Sequence, residues 1–206
     1  MTSQPLARAL GAAMALYLRL VAATARVSGD VTREQVVLAF WHEYNLAAFC
    51  VAVSRRGDLP HVSFSTRGFR GLVITTLLRR SGTRVAVLPL PAETDRAEAR
   101  DLAMRMARLA AKGWSLIVTP DGPFGPYRAA KPGALMVARA SGLPIQPWVI
   151  RVRPAIRLTK RWDRHIVPLP FCRIEVIAGQ QLRIGRREPL RGRLAELQAK
   201  LDGDPG

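Results

Sequence analysis

The sequence predicts an α/β fold in which helices flank a mainly parallel β-sheet. Apolar runs of strand length alternate with segments of helical spacing from residue 36 to residue 152, and glycines and prolines separate them. Repeated alternation of this kind is typical of parallel sheets. With 206 residues, of which 49% are hydrophobic, the chain can bury one substantial core. We therefore expect an α/β domain over 31–201, an apolar or amphipathic helix within 1–30 and a flexible tail at 202–206.

Each element of the alternation has its own signal in the sequence. Short apolar runs bounded by Gly or Pro predict the strands, which we place at 36–41, 61–65, 84–90, 114–119 and 143–152. Apolar residues every three or four positions predict the helices, which we place at 43–53, 69–80, 94–112 and 133–140. The helix at 94–112 is the clearest, since its first turns are acidic, its last turns are basic and Gly113 ends it. The pattern then changes to strands at 173–178 and 181–184 and a closing helix at 190–201.

The N-terminal segment 5–27 is rich in Ala and Leu, and arginines interrupt it. As a helix it places apolar residues along one side, which are Leu6, Leu10, Met14, Tyr17 and Val21. That side suits either packing on the domain or lying in a membrane interface with the arginines at phosphate level. The longest uncharged run, 9–18, is too short to span a bilayer, so we expect that the helix does not cross one.

The net charge of the chain indicates which kind of partner it binds but does not identify that partner. The 32 Lys and Arg residues against 15 Asp and Glu residues give a net charge of +17. Such a field attracts phosphates, whether they belong to nucleic acid, anionic lipid or a phosphorylated carrier. Cys50 and Cys172 match no metal-binding or redox spacing, so we expect buried thiols, no disulfide and no structural metal.

A rigid turn at 118–126 is the strongest signal for a site. It follows the strand at 114–119, and its prolines and glycines stop the chain from continuing as strand or helix. Asp121 is thereby fixed at the carboxyl end of a strand, with Arg128 and Lys131 close behind. In open α/β sheets this is the edge where ligands bind. A ligand site and a purely structural turn capped by Asp121 explain the pattern equally well.

His42 lies where the strand at 36–41 turns into the next helix, so we expect it at the same sheet edge as Asp121. The free amides of a helix N-terminus keep an imidazole neutral, and a neutral imidazole at a cleft is a natural general base. The alternative is a half-buried packing residue beside Trp41. The sequence contains no Gly-x-Ser-x-Gly nucleophile motif, no phosphate-loop motif and no dinucleotide-binding motif.

Six sequence blocks occur in an order and spacing that run through most of the chain. They are Phe40-Trp-His-Glu43, Ser63-x-Ser65-x-x-Gly68, Thr119-Pro-Asp-Gly-Pro-Phe-Gly-Pro126, Lys131-Pro-Gly-Ala-Leu-Met-Val-Ala138, Ser141-Gly-Leu-Pro-Ile-Gln-Pro147 and Trp162-Asp-x-x-x-x-Pro168-Leu-Pro-Phe171. With them the sequence resembles the lysophospholipid acyltransferase superfamily, and within it a bacterial lysophospholipid-acyltransferase-like family with Thr-Pro-Asp-Gly-Pro-x-Gly-Pro and Lys-Pro-Gly motifs.

This resemblance implies a glycerolipid-acyltransferase-like fold and a set of roles. His42 falls on the histidine that deprotonates an acceptor hydroxyl, which then attacks an acyl thioester. Asp121 and Gly122 fall on the acidic-Gly pair that grips the phosphate of the acceptor. Lys131 and Gly133 fall on the motif that frames the acyl site.

Two positions depart from the pattern of the superfamily. The aspartate that orients the histidine is expected five positions after it, where this chain has Ala47. Glu43 cannot replace it, because adjacent residues on a helix point about 100° apart. Asp121 is then the best available carboxylate to orient the ring. Arg67 stands where the superfamily has a second aspartate.

Two classes of function therefore stay open. The first is a membrane-associated acyltransferase at the cytoplasmic face of the inner membrane, with acyl-CoA or an acyl carrier protein as donor and no other cofactor. In this class Arg128 and Lys131, with Arg67 and Arg70, bind the phosphate of a lipid acceptor or of an anionic lipid; the alternative is that they form a solvated basic surface. The second is a non-catalytic lipid or phosphate binder of the same fold, which the two departures favour. Nucleic-acid binding through the basic segment 151–193 ranks last, since aromatics are few and no known nucleic-acid module is visible.

Overall fold

The computed structural model of the protein describes residues 3–29, 34–55, 60–90 and 96–203. In chain order the elements are α1 (Ser3–Thr24), β1 (Arg26–Gly29), β2 (Val37–Ala39), a 3-10 turn (His42–Tyr44), α2 (Asn45–Ser54), β3 (His61–Ser65), α3 (Gly68–Arg79), β4 (Val85–Pro89), α4 (Arg96–Ala110), β5 (Ser115–Val118), α5 (Gly133–Ser141), β6 (Ile145–Arg157), β7 (Ile166–Ala178) and α6 (Leu190–Asp202).

The described strands form one sheet with the order β1-β7-β6-β2-β5-β3-β4. Every neighbouring pair is parallel except β6 and β7, which form an antiparallel hairpin. The predicted mainly parallel sheet flanked by helices is therefore confirmed. β6 runs beside β2 with Pro147 opposite Ala39 and then continues to Arg157, so the hairpin projects past the carboxyl edge of the sheet.

The helices cover the sheet in two layers. α1 packs on α2 and α3, whereas α5 packs on α4 and α6. Right-handed crossovers between parallel strands place α2 and α3 on one face of this sheet and α4 and α5 on the other. Both layers bury apolar strand residues, among them Val62, Leu116, Ile145 and Ile174.

The chain after residue 145 and the end of the first helix differ most from the prediction. β7 begins at Ile166 rather than at residue 173. The segment 181–184 is not a strand, because within it Leu182 alone pairs, through an isolated bridge to Ile145. The first helix ends at Thr24, and β1 follows as an edge strand beside β7. Residues 94–95 of the predicted fourth helix and 204–206 of the predicted tail lie outside the described residues.

Helix α1 packs one side on the domain and leaves a second apolar side bare. A Cβ on Gly11 would lie 2.5 Å from the carbonyl oxygen of Val73, so glycine allows close approach to α3. Leu18 and Val21 are fully buried. The bare side carries exposed leucines, which are Leu6, Leu10, Leu16 and Leu20. With 22 residues and a mean hydropathy of 1.5 in its most apolar stretch, α1 is long and apolar enough to cross a bilayer, but 33% of that stretch is buried inside the domain, and the expectation that the helix does not cross stays a prediction.

Candidate active site

The turns after β2 and β5 meet at the carboxyl edge of the sheet. The two strands are parallel neighbours with Ala39 opposite Val118, so the residues that follow them emerge side by side. Asp121 accepts a hydrogen bond from the backbone N–H of His42, with 2.9 Å between the nitrogen and Oδ1. The two residues therefore lie at the same end of the sheet, as the β-α alternation indicates.

Asp121 holds the backbone of the site rather than the imidazole ring. Its second oxygen accepts the N–H of Arg128 at 3.3 Å, and the residue is fully buried. Burial raises the pKa of Asp121, and the N–H groups of His42 and Arg128 offset part of that shift. The expectation that Asp121 orients the His42 ring is wrong, because its oxygens bind main-chain donors and tie the two turns together.

The carboxylate that contacts the His42 ring belongs to Asp163, which sequence reasoning missed. Asp163 lies in the tip of the β6–β7 hairpin, fully buried, with Oδ2 3.2 Å from Nδ1 of His42. Arg161 binds both oxygens of Asp163, each at 2.9 Å. Burial would raise the pKa of this carboxyl, but the hydrogen bonds from His42 and Arg161 outweigh it and hold the pKa well below its usual range. The Trp162-Asp163 pair of the last sequence block is the signal that could have found it.

His165 lies against the same carboxylate. Its Nδ1 is 3.3 Å from Oδ2 of Asp163 but lacks hydrogen-bond geometry. Burial lowers the pKa of His165 to about 4, so this ring is neutral at pH 7. Side-chain ligand atoms of His42, Asp163 and His165 lie within 4.8 Å of one another, a spacing that a metal ion could bridge. The guanidinium of Arg161 on the same carboxylate opposes a second cation there.

Packing also fixes the His42 ring. A Cβ on Gly122 would lie 2.7 Å from Cδ2 of His42, so this position has room for the imidazole only when it is glycine. The ring of Trp162 lies 5.2 Å from the His42 ring, centroid to centroid. Gly122 and the hairpin tip thus both confine the imidazole, and each comes from one of the sequence blocks.

Glu43 is the centre of a buried ion-pair network beside this site. Its carboxylate accepts hydrogen bonds from Nε of Arg128 at 2.7 Å, Nη1 of Arg157 at 2.6 Å and the hydroxyl of Tyr127 at 3.1 Å. Arg128 also donates to the hydroxyl of Tyr44 at 3.1 Å. Burial lowers the pKa of Arg128, but the contact with Glu43 outweighs it and raises the pKa above its usual value. The Arg128 guanidinium is therefore engaged inside the protein.

A cavity of about 1470 Å³ adjoins His42. It exceeds the roughly 300–1,000 Å³ of ordinary small-molecule pockets. Apolar side chains of α1, α2 and α3 form much of its wall, and it reaches from His42 at the carboxyl edge of the sheet to Ser115 at the amino end of β5. A long apolar cavity of this kind suits a hydrocarbon chain.

The predicted binding residues fall into two groups. Those that line the cavity with His42 are Arg70, Gly122, Lys131 and Gly133. Arg67 and Arg128 are instead engaged in ion pairs, Arg67 with Glu98 at 2.9 Å and Arg128 with Glu43. Of the four predicted cations, Arg70 and Lys131 are the two that line the cavity, where an anionic group of a ligand could contact them.

Helix α6 fixes the loop that follows Asp121. Gln198 accepts a hydrogen bond from the N–H of Ala130 at 2.9 Å and donates one to the carbonyl oxygen of Arg128 at 3.0 Å. The N–H of Lys131 donates to the carbonyl oxygen of Pro120 at 2.9 Å. The loop is thus closed on itself and held from outside by one amide side chain.

Known proteins similar to this chain point to the same architecture. No family model matches the chain. An uncharacterized protein of Rickettsia prowazekii (strain Madrid E) is 29% identical over 152 residues, which are 74% of this chain and 66% of that protein. The chain therefore spans just under two thirds of the length of this relative.

The second similarity is structural. The crystal structure of PlsC, the 1-acyl-sn-glycerophosphate (LPA) acyltransferase from Thermotoga maritima, matches 98% of this chain and 83% of its own, with a TM-score of 0.52. The chain has a PlsC-like acyltransferase fold. Its sequence identity to PlsC is 16%, so the likeness shows the fold alone. Within this PlsC-like fold, His42 lies in the turn after β2 and lines the cavity.

Proposed function

We propose that the protein is an acyltransferase that moves a fatty acyl group from a thioester donor to a hydroxyl or amine of a lipid-like acceptor. One observation carries the proposal: the imidazole of His42, paired with a buried carboxylate, lies at the wall of a large apolar cavity. The PlsC-like fold supports the reaction class. The donor is acyl-CoA or an acylated carrier protein.

The Asp163 carboxylate selects the tautomer of His42. Because it accepts the proton on Nδ1, the lone pair of the neutral ring lies on Nε2. Among the described residues, none hydrogen-bonds that nitrogen. Nε2 takes the proton of the acceptor hydroxyl or amine, whose oxygen or nitrogen attacks the thioester carbonyl carbon. The C–S bond then breaks, and the imidazolium returns the proton to the leaving thiolate while Asp163 stabilises its charge.

The rest of the site binds the two substrates. Each methylene group of an acyl chain that enters the apolar cavity contributes about 0.8 kcal/mol. Arg70 and Lys131, which line the same cavity, supply positive charge for the phosphate of the acceptor. We do not assign that role to Arg128, since Glu43 and Tyr44 already occupy its guanidinium.

The competing proposal is a non-catalytic lipid or phosphate binder of the same fold. Its support is Ala47 and Arg67, which stand where the superfamily has aspartates, Ala47 in the place of the aspartate that orients the histidine. Asp163 weakens this support, because it brings a carboxylate to Nδ1 of His42 from another part of the chain.

We further propose that the protein works at the cytoplasmic face of the inner membrane, bound peripherally to anionic lipid. The hydroxyl of Tyr17 donates to the carbonyl oxygen of Pro168 at 2.8 Å, so α1 and the segment 168–171 are in contact. Phe171 in that segment is 77% exposed. Each basic residue close to an anionic bilayer adds about 1 kcal/mol, so a fraction of the +17 net charge suffices for attachment.

Thioester consumption tests the proposal. The purified chain is incubated with acyl-CoA or acylated carrier protein and with lysophospholipid acceptors, and free thiol is measured. Positioned proton transfer contributes roughly 10²- to 10⁴-fold, so His42→Ala should lower turnover by that factor while the fold is kept. Equal turnover in both proteins removes His42 from the mechanism. No acceptor-dependent thiol release with either donor, despite saturable lipid binding, supports the binder instead.

A further inference from the structure

Three arginines form a row across the edge of the sheet. Arg173 of β7 is paired with Arg26 of β1 on one side and with Arg153 of β6 on the other. Residues that are directly paired on neighbouring strands project from the same face of a sheet. All three side chains are exposed. The row thus presents three like charges side by side on one open face of β6, β7 and β1.

Like charges opposite each other on adjacent strands destabilise a sheet. The neighbouring row is balanced, since Arg151 and its partner Glu175 form an ion pair at 3.4 Å. In the described parts of the chain, no carboxylate pairs with Arg26, Arg153 or Arg173. An anion outside the chain that lies over the row would relieve this repulsion further than water and salt do.

An exposed aromatic ring stands next to the row. Phe171 precedes Arg173 by two residues, and its N–H donates to Oγ1 of Thr24 at 3.1 Å. Thr24 in turn precedes Arg26 by two residues and ends α1. Positive charge and an exposed aromatic side chain are therefore neighbours on this part of the sheet. That combination fits a bilayer, in which phosphates lie directly above hydrocarbon.

We propose that Arg26, Arg153 and Arg173, with Phe171 beside them, bind the phosphate headgroups of an anionic bilayer. An acidic protein or a nucleic acid would satisfy the arginines but leave Phe171 in water. The assignment rests on the proposed function in placing the protein at a membrane, and it names the surface that makes the contact.

Vesicle co-sedimentation of the full chain tests this surface. The probe is a set of phosphatidylglycerol–phosphatidylcholine vesicles, with pure phosphatidylcholine vesicles as the neutral reference. The triple variant Arg26→Gln, Arg153→Gln, Arg173→Gln should bind anionic vesicles roughly 100-fold more weakly, about fivefold for each arginine. A matched triple variant of exposed arginines on α4, Arg100→Gln, Arg105→Gln, Arg108→Gln, loses the same charge and should bind as the unaltered chain does.

Several outcomes overturn the assignment. If both triple variants bind anionic vesicles equally weakly, the loss is an effect of net charge and the arginine row is not the binding surface. A row variant that keeps vesicle binding and loses retention on DNA or on an acidic protein points to that partner instead. Phe171→Ser should weaken binding to anionic vesicles without any change of charge, and unaltered binding by this variant also contradicts the surface. The row variant should unfold at a temperature no lower than that of the unaltered chain, because its substitutions remove the repulsion between the three arginines.

One further variant separates this surface from the proposed reaction. His42→Ala lies outside the row and should bind vesicles as the unaltered chain does, while it loses acyl transfer. Loss of vesicle binding only in the row variant supports the surface even when no acyl transfer is found in any of the proteins.

Discussion

Oδ2 of Asp163 lies 3.2 Å from Nδ1 of His42, although the two residues are 121 positions apart in the chain. The β6–β7 hairpin makes this contact possible, because it extends past the end of β2 and returns its tip to the turn after that strand. An orienting carboxylate is thus present although Ala47 occupies its expected position. The pair is supported on its far side by Arg161, which holds Asp163 through both oxygens.

Asp163→Asn should lower turnover roughly 10²- to 10⁴-fold, since an amide neither selects the same tautomer nor stabilises the imidazolium. Acyl-transfer kinetics check this. Arg161→Gln is the companion variant. It removes the two hydrogen bonds that hold Asp163 but keeps the carboxylate against His42, so turnover should fall by a smaller factor. Asp101→Asn, an exposed ion pair on α4, should have no effect. Turnover near that of the unaltered chain in Asp163→Asn would show that the carboxylate is only structural.

Gly122→Ala should displace the His42 ring, because the new Cβ would lie 2.7 Å from Cδ2. A misplacement of about 1 Å at a reacting group costs on the order of 10²-fold in rate. We expect that loss in turnover with secondary structure retained by circular dichroism. Gly192→Ala in α6 is the control, since a Cβ there meets nothing within 4 Å and the fold should become slightly more stable. Full activity in Gly122→Ala would mean that the ring is free to move aside.

Glu43→Gln should lower the free energy of unfolding, because it leaves the charges of Arg128 and Arg157 without their partner. Breaking a fully buried pair costs about 3–5 kcal/mol. The two arginine side chains are 34% and 41% exposed and can turn to water, so we expect about 2 kcal/mol by chemical denaturation. Glu98→Gln, which breaks an exposed pair, serves as the control.

A double-mutant cycle with Arg128→Met tests whether Arg128 acts inside this network. Residues that share a partner give non-additive losses, so Arg128→Met should cost little once Glu43 is replaced. If the losses of unfolding free energy are strictly additive, Arg128 acts independently of Glu43. Arg128 would then again be a candidate ligand for the phosphate.

The stability of the protein should fall as the pH drops from 6.5 to about 4, and His165 should account for part of the fall. Burial lowers the pKa of His165 from 6.5 to about 4, so the unfolded chain binds a proton in this window that the folded chain excludes. The contribution of neutral His165 to the free energy of unfolding is roughly 3 kcal/mol; it is fully present above pH 6.5 and lost near pH 4. The free energy of unfolding of the unaltered chain and of His165→Gln is measured by denaturation across this pH range. It should change less with pH in the variant. Parallel profiles would exclude His165 as the titrating group.

Leu16→Gln and Leu20→Gln together should weaken vesicle binding without unfolding the protein, since both side chains point away from the domain and are exposed. Full burial of one leucine contributes about 1.5–3 kcal/mol, and a membrane interface buries each of these side chains only in part, so we expect a loss of roughly tenfold for the pair. Met104→Gln, which replaces an exposed apolar side chain on α4, is the control. Removal of residues 1–27 is less informative, because it also strips the buried Leu18 and Val21 from the core.

The sequence predicts the parts of this fold that have local signals. β3 matches the predicted strand at 61–65 residue for residue, and α3, α5 and α6 agree within one residue at each end. The edge shared by His42 and Asp121 follows from the β-α alternation alone. β1 and the start of β7 have no such signal, since their pairing joins segments far apart in the chain. Asp163 was missed for the same reason, because periodicity does not show where a hairpin tip folds back.

Gln198 gives the loop after Asp121 the two hydrogen bonds that a neighbouring strand would give, one accepted and one donated. The ribosome adds this residue 68 positions after Ala130, its partner in the loop. A nascent chain therefore completes both turns of the site well before it can lock them. The loop after Asp121 thus reaches its final geometry only after residue 198 of α6 has been added.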